Sequence, residues 1–415
     1  TLGLAAMSLG ALLTAAPSFW TDSVLDAYTL RVLRFTVLQA ALSTVLSVIF
    51  ALPVARALAR RSNFWGRTVI VRLMGLPLVL PVIVAVFGIA AVWGQNGTIS
   101  HLLQLADLDA LSPLYGLTGI MIAHVFFNMP LAVRLLLPVW EAVPGEIWRL
   151  AAQLGMRSGA VFRLIEGPRL LAAVPGVAVL IFLLCFTSFA VVLALGGGPG
   201  ATTIEVAIYQ ALRLDFDIPR AVTLGVLQVV VCAVIATAVV RFVRPVASSA
   251  TEGRASLRPD TAAMGGKACD ALWITLGVLW VAGPLLAVVM EGLTGPVIDV
   301  LSRAAVWQAL ARSLGVGFGA AVLALVLGLL LLATTRDLAV RGTRVALANR
   351  LETAGSLTLV ISPVVLGAGL FVLLLPVIPV FDWALPLAAL VNAVVMTPYV
   401  LRLVGPVLRR TAEHH

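Results

Sequence analysis

Apolar residues fill this chain in long blocks instead of alternating with polar ones. Ten blocks approach or exceed the twenty or so residues that a helix needs to cross a bilayer. They are Leu2–Pro17 (incomplete), Val32–Leu58, Val69–Trp93, Tyr115–Trp140, Leu170–Leu195, Ala221–Val243, Ala271–Met290, Ala305–Thr334, Gly355–Val380 and Trp383–Leu408. No stretch carries the period-two pattern of a strand, so the pattern predicts an all-α polytopic membrane protein and excludes a β-barrel. The first block follows Thr1 with no basic flank, so the chain is expected to start inside its first membrane helix, without a cleaved signal peptide.

The polar connections alternate in charge. Arg56, Arg60, Arg61 and Arg67 share one connection; Arg149, Arg157, Arg163 and Arg169 the next but one; Arg241, Arg244, Arg254, Arg258 and Lys267 another; Arg336, Arg341, Arg344 and Arg350 the fourth. The connections between them carry Asp22 and Asp26, Asp107 and Asp109, Glu205, Asp215 and Asp217, and Glu291 and Asp299. Basic loops stay in the cytoplasm, which places them and both chain ends on that side.

Composition removes the other classes. Of 415 residues 61% are hydrophobic and 11% charged, and the mean hydropathy is +1.08. A soluble domain needs about a quarter charged residues. The net charge of +9 comes from Arg in short clusters between apolar blocks, a pattern of membrane topology and not of nucleic-acid binding. Cys185, Cys232 and Cys269 form no redox or zinc motif, and His101, His414 and His415 have no metal-ligand spacing.

The stretch 244–270 is polar and turn-rich, with Pro245, Gly253, Pro259 and Gly265-Gly266, and is read as a cytoplasmic linker. The flanking parts match without gaps over Asn128–Pro138 and Met396–Pro406, pairing Pro130 with Pro398, Arg134 with Arg402 and Pro138 with Pro406. This predicts two tandem parallel units: residues 1–243 with six spans and a loop at 141–169, and residues 271–415 with four spans. By the repeat offset a second such loop would begin just past His415, so the chain reads as a piece of a longer protein, without that loop and the last helices.

The 141–169 loop is the most informative segment. Pro144-Gly145 opens a turn, Glu146 suits a helix N-terminus, and Ile147, Leu150, Ala151 and Leu154 form an apolar stripe up to Gly155, which is placed to end the helix. A second short helix from Ser158 presents Val161, Phe162, Leu164 and Ile165, and Pro168 marks the return to the membrane. Two amphipathic helices broken at a glycine make a compact knob. Taken alone, such a knob also fits an interfacial helix on the headgroups.

The run Ala151-Ala152-Gln153-Leu154-Gly155, then Phe162-Arg163 and Ile165-Glu166-Gly167-Pro168, resembles the cytoplasmic coupling-loop signature of ABC importer permeases. Arg149-Leu150 stands where that signature has Glu-Ala. With 184–190 and 195–212, this pattern is similar to the fused two-domain permeases of thiamine and thiamine-pyrophosphate importers. The resemblance is closest over residues 30–245 and, in its generic form, spans nearly the whole chain. It implies two permease units in the bacterial inner membrane, two copies of a cytoplasmic ATP-binding subunit and a periplasmic binding protein. It assigns ATPase coupling to Ile147, Arg149, Leu150, Ala151, Ala152, Leu154, Gly155, Phe162 and Pro168. An iron- or polyamine-type importer permease is the alternative within the class, and an ion-coupled secondary transporter the alternative outside it.

Intramembrane polar groups are costly and so are functional candidates. His124 and Asn128 lie four apart on one block, and Gln39, Ser43 and Ser47 form a similar row on another. Phe186, Thr187, Ser188 and Phe189 sit in the fifth block. With His124 and Asn128 they are the candidate pathway lining for a flat cationic heteroaromatic, the competing role being helix packing. Glu205 and Tyr209 begin a short outer helix expected at the binding protein or the headgroups. Gly196–Gly200 reads as an external turn, and the run around Lys267 lacks the first Gly and final Ser/Thr of a phosphate-binding loop. The chain is therefore expected to need no cofactor and to carry no catalytic residues, contacting lipid but no nucleic acid.

Overall fold

The computed structural model describes residues 26–108, 114–242, 264–340 and 362–412, together with Gly10 and Arg258. Among these residues no strand occurs, and eight helices are long and apolar enough to cross a membrane. In chain order the helices are α1 (Ala27–Arg60), α2 (Arg67–Leu73), α3 (Val82–Trp93), α4 (Thr98–Leu105), α5 (Leu117–Glu141), α6 (Gly145–Gln153), α7 (Ser158–Val161), α8 (Gly167–Phe186) and α9 (Ala190–Leu195). They continue as α10 (Ile204–Arg213), α11 (Ile218–Phe242), α12 (Met264–Thr294), α13 (Val297–Ser302), α14 (Ala304–Val340), α15 (Pro363–Leu374) and α16 (Ala384–Ala412).

Two apolar blocks are not continuous helices. Val69–Trp93 is divided by a tight turn at Leu76–Leu78 and by Pro81, because Pro77 and Pro81 lack the N–H that would carry the helix on. The candidate span there is instead Val82–Leu105. Leu170–Leu195 breaks at Thr187–Phe189, between α8 and α9. Leu2–Pro17 lies outside the described residues except for Gly10, and of Gly355–Val380 the described part forms only α15 before a turn. Helix α12 begins at Met264, inside the stretch read from composition as linker.

The chain divides into two compact units that do not follow the sequence halves. One comprises residues 31–203 and 235–295; the other comprises 1–30, 204–234 and 296–415. In the first, α12 packs along α3. A side chain at Gly88 would run into the Pro284 carbonyl and Val288, so the absence of a Cβ lets the two backbones approach. Helix α1 is 34 residues long, about 50 Å at 1.5 Å per residue. That exceeds the ~30 Å hydrocarbon layer, so its last turns project beyond the bilayer with Arg56, Arg60 and Arg61.

In the second unit α14 and α16 pack along one another, and α15 contacts α10 and α16. Helix α15 starts at Ser362, whose hydroxyl accepts the N–H groups of Val364 at 3.0 Å and Val365 at 3.5 Å.

Candidate coupling site

The knob is built as its sequence dictates. Pro144 and Gly145 start α6, and Glu146 occupies its first turn. The helix ends where Gly155 adopts φ +61°, the left-handed conformation that glycine takes without a Cβ penalty. The N–H of Met156 then closes back on the Ala151 carbonyl at 3.0 Å.

From Ser158 the chain runs through α7 and a π-helical turn at Phe162–Glu166 into α8. The N–H of Gly167 donates to the Phe162 carbonyl, and this widened turn places Pro168 in the first turn of α8, where its missing N–H costs little. Pro168 therefore does not interrupt the path. Ser158–Phe186 is one 29-residue helical rod from the knob into the membrane.

The knob has its own core of Val143, Trp148, Ala151, Val161 and Ile165, with Ile147 and Met156 packed against it. Of the expected coupling residues, Ala151 and Ile147 thus serve the interior. Arg149, Leu150, Ala152, Leu154, Gly155, Phe162 and Pro168 are exposed. Leu150, Leu154 and Leu164, at 56%, 67% and 64% exposure, are apolar side chains that the knob presents outward, and Phe162 is exposed as well.

A buried charge cluster fixes the knob to the membrane helices. Glu166 is sealed from solvent and accepts from Nε of Arg56 at 2.7 Å and from Nη2 of Arg258. Arg258 lies 4.2 Å over the Trp148 ring, and Arg56 lies 5.0 Å from the Phe162 ring. Arg56 also reaches the Ser158 hydroxyl at 3.3 Å. Nearby, Asp270 accepts from Nε of Arg61 at 2.8 Å and sits 3.5 Å from that of Arg60. Sequence reasoning named none of Trp148, Glu166, Arg56 or Arg258 as site residues. The available signal was an acid, Glu166, placed among Arg157, Arg163 and Arg169 at the membrane boundary.

Inside the first unit the two polar rows face each other. Ser43 Oγ and His124 Nδ1 are 3.1 Å apart, and Asn128 Nδ2 donates to Cys185 Sγ at 3.3 Å. Gln39 Nε2 donates to the Cys185 carbonyl at 2.9 Å, satisfying a backbone group near the end of α8. Gln39 Oε1 and His124 Nε2 are buried without a hydrogen-bond partner. The other pathway candidates sit at the break: Phe186 is fully buried and stacks on Phe182, whereas Thr187, Ser188 and Phe189 are half-buried.

Glu205 departs from expectation. It is fully buried and accepts from Gln228 Nε2 at 2.5 Å, so it faces neither headgroups nor a protein surface. Burial pushes its carboxyl up to about 7, against smaller opposing effects of Ser362 and Gln228. The apolar blocks on either side hid this, because helix periodicity alone does not say what covers a short connecting helix.

No family model matches the chain. It is similar to the thiamine transport system permease protein ThiP of Brucella suis, with 44% identity over 417 residues, 99% of this chain and 76% of that protein. It is also similar to the ThiP of Escherichia coli, with 44% identity over 390 residues, 94% of this chain and 72% of that protein. The sulfate transport system permease protein CysT of Salmonella typhimurium is 29% identical over 204 residues, 49% of this chain and 72% of that protein.

Proposed function

The chain belongs to the family of thiamine transport permeases, and on that premise we propose that its 145–166 knob is the lever by which a separate ATPase works a passage for thiamine. The chain is a transmembrane permease subunit of a thiamine ABC importer and a multi-pass protein of the inner membrane. It supplies pathway and lever; ATP hydrolysis belongs to cytoplasmic partners, two copies per transporter, and a periplasmic binding protein delivers the substrate.

The observation that carries this reading is the knob itself. It has an internal core, an exposed apolar face at Leu150, Leu154, Phe162 and Leu164, and an unbroken helical rod into the membrane. An apolar face on a compact knob suits a groove in a partner. When ATP closes the partner's dimer, the seated knob moves as a body and α8 moves with it. The rod ends at the Thr187–Phe189 break, beside Gln39, His124 and Asn128. There the unpartnered Gln39 Oε1 and His124 Nε2 offer hydrogen bonds to a polar solute once the passage opens, and the half-buried Phe189 offers a face to a cationic ring.

The tandem organisation belongs to the same proposal. The match of half of this chain to most of a sulfate permease supports one permease unit per sequence half.

The test is ATP hydrolysis by the permease reconstituted with its ATPase subunits and binding protein, with and without thiamine. Stimulation by the thiamine-loaded binding protein is expected. An assembled complex indifferent to thiamine would keep the coupling reading and overturn the substrate.

A further inference from the structure

Glu166 holds two guanidinium groups where the knob meets the end of α1. The Arg258 side chain is 7% exposed and that of Glu166 is fully covered. A guanidinium taken out of water needs close polar or aromatic neighbours, and here aromatic faces join the carboxylate. Arg258 lies over Trp148 of α6, and Arg56 lies by Phe162 of the π turn. Both rings belong to the knob, one from each side of the Gly155 break. The two arginines thus grip both helices of the knob, and they arrive from different places: Arg56 from the projecting end of α1, Arg258 from the connection between the sequence halves.

A second tie lies close by in the sequence. Asp270, in the first turns of α12, binds Arg61 and approaches Arg60, one turn beyond Arg56 on α1. Helix α12 then packs on α3 through Gly88. The end of α1 therefore joins the knob on one side to the start of the second sequence half on the other.

We propose that Arg258 is a positioning residue for transport: it clamps the knob through Glu166 and Trp148 and makes residues 264–294 move with the first knob. The moving body then crosses the boundary between the sequence halves, in keeping with the compact unit formed by residues 31–203 and 235–295. This rests on the coupling role given to the knob above. A merely structural ion pair would affect assembly and melting but not the ratio of ATP spent to substrate moved.

The test compares the wild type with Arg258→Gln and Arg258→Lys in the complete transporter. Hydrogen–deuterium exchange over 145–166 reads the clamp directly, and ATP hydrolysed per thiamine imported reads its use. In Arg258→Gln the knob amides should exchange faster, and the ATP spent per thiamine should rise about threefold or more. Arg258→Lys, which keeps the charge but loses the planar stacking group, should fall between. Unchanged exchange in Arg258→Gln would overturn the clamp whatever the substrate is. Faster exchange, or lower yield and melting temperature, with an unchanged ATP-to-thiamine ratio would overturn its role in transport. A wild-type complex that ignores thiamine would count against the function proposed above, while the exchange result would still judge the clamp. Should Arg258→Gln not assemble, Trp148→Phe removes the better cation–π partner and is read in the same two ways.

Discussion

Glu166 and Glu205 are both closed to solvent, yet they are held in opposite ways. Glu166 lies between Arg56 and Arg258, with aromatic rings behind each arginine. Glu205 has an amide, Gln228, and among the described residues no basic partner. A paired carboxylate tethers elements that must stay together. An unpaired one keeps its proton close to neutrality and leaves its surroundings responsive to pH. The first carboxylate belongs to the knob and the second to a short helix, α10, in the other unit. The same residue type at the same burial therefore marks a fixed joint in one unit and a titratable one in the other.

The sharpest way to break this contrast is to remove each carboxyl. Glu166→Ala should cost on the order of 3 kcal/mol, because it removes a buried carboxylate that two arginines share, and thermal melting of the detergent-solubilised protein will read it. A loss below the error of that measurement would mean that the pairing holds nothing.

Glu205 should behave with the opposite sign. Its carboxyl has an ordinary value of 4.5 and is raised to about 7 in the fold, so the folded state retains a proton that the unfolded chain has released. Stability should therefore be highest below about 4.5, fall as pH rises to about 7 and level off above, by on the order of 3 kcal/mol in total. Glu205→Gln should flatten that part of the profile and melt higher than the wild type at pH 8. A wild-type contribution that grows between pH 5 and 7 would overturn the assignment.

Smaller effects sharpen the picture of the knob. At Gly155 an added Cβ meets open space, so the strain of a substitution lies in the φ of +61°. Gly155→Arg should cost about 1–2 kcal/mol in stability but uncouple ATP hydrolysis from uptake. Normal uptake per ATP in Gly155→Arg membranes would remove the glycine break from the mechanism. Leu154→Asp, on the exposed face, should change stability by no more than about 0.5 kcal/mol while weakening capture of the ATPase subunit in a pull-down. Unchanged capture would move the docking face elsewhere.

Much of this molecule was legible because a membrane simplifies the code. Most apolar blocks marked helices, and the Gly155 break followed from one residue placed after an amphipathic turn. Backbone continuity was the harder part. Pro77 and Pro81 announce a break that hydropathy overlooks, since it sums side chains and ignores missing N–H groups. The break at Thr187–Phe189 has neither proline nor glycine, and only the structure shows it, with the Cys185 carbonyl accepting from Ser188 N–H and from Gln39. The polar rows at Gln39/Ser43 and His124/Asn128 were visible singly, but their pairing across 81 positions, Ser43 to His124, was not. Trp148 and Arg258 escaped for the same reason: the cation–π contact joins segments that nothing local relates.

The close packing of α12 on α3 has a consequence for biosynthesis. Gly88 belongs to the part of the chain made early, and the backbone that covers it, at Pro284, leaves the ribosome almost two hundred residues later. Until then the notch at Gly88 must face lipid or a chaperone, and the nascent chain holds a half-finished surface. Co-expressing the chain as two polypeptides cut near residue 250 would therefore strand α12 on the wrong fragment, whereas a cut placed after Gly295 would deliver the unit whole.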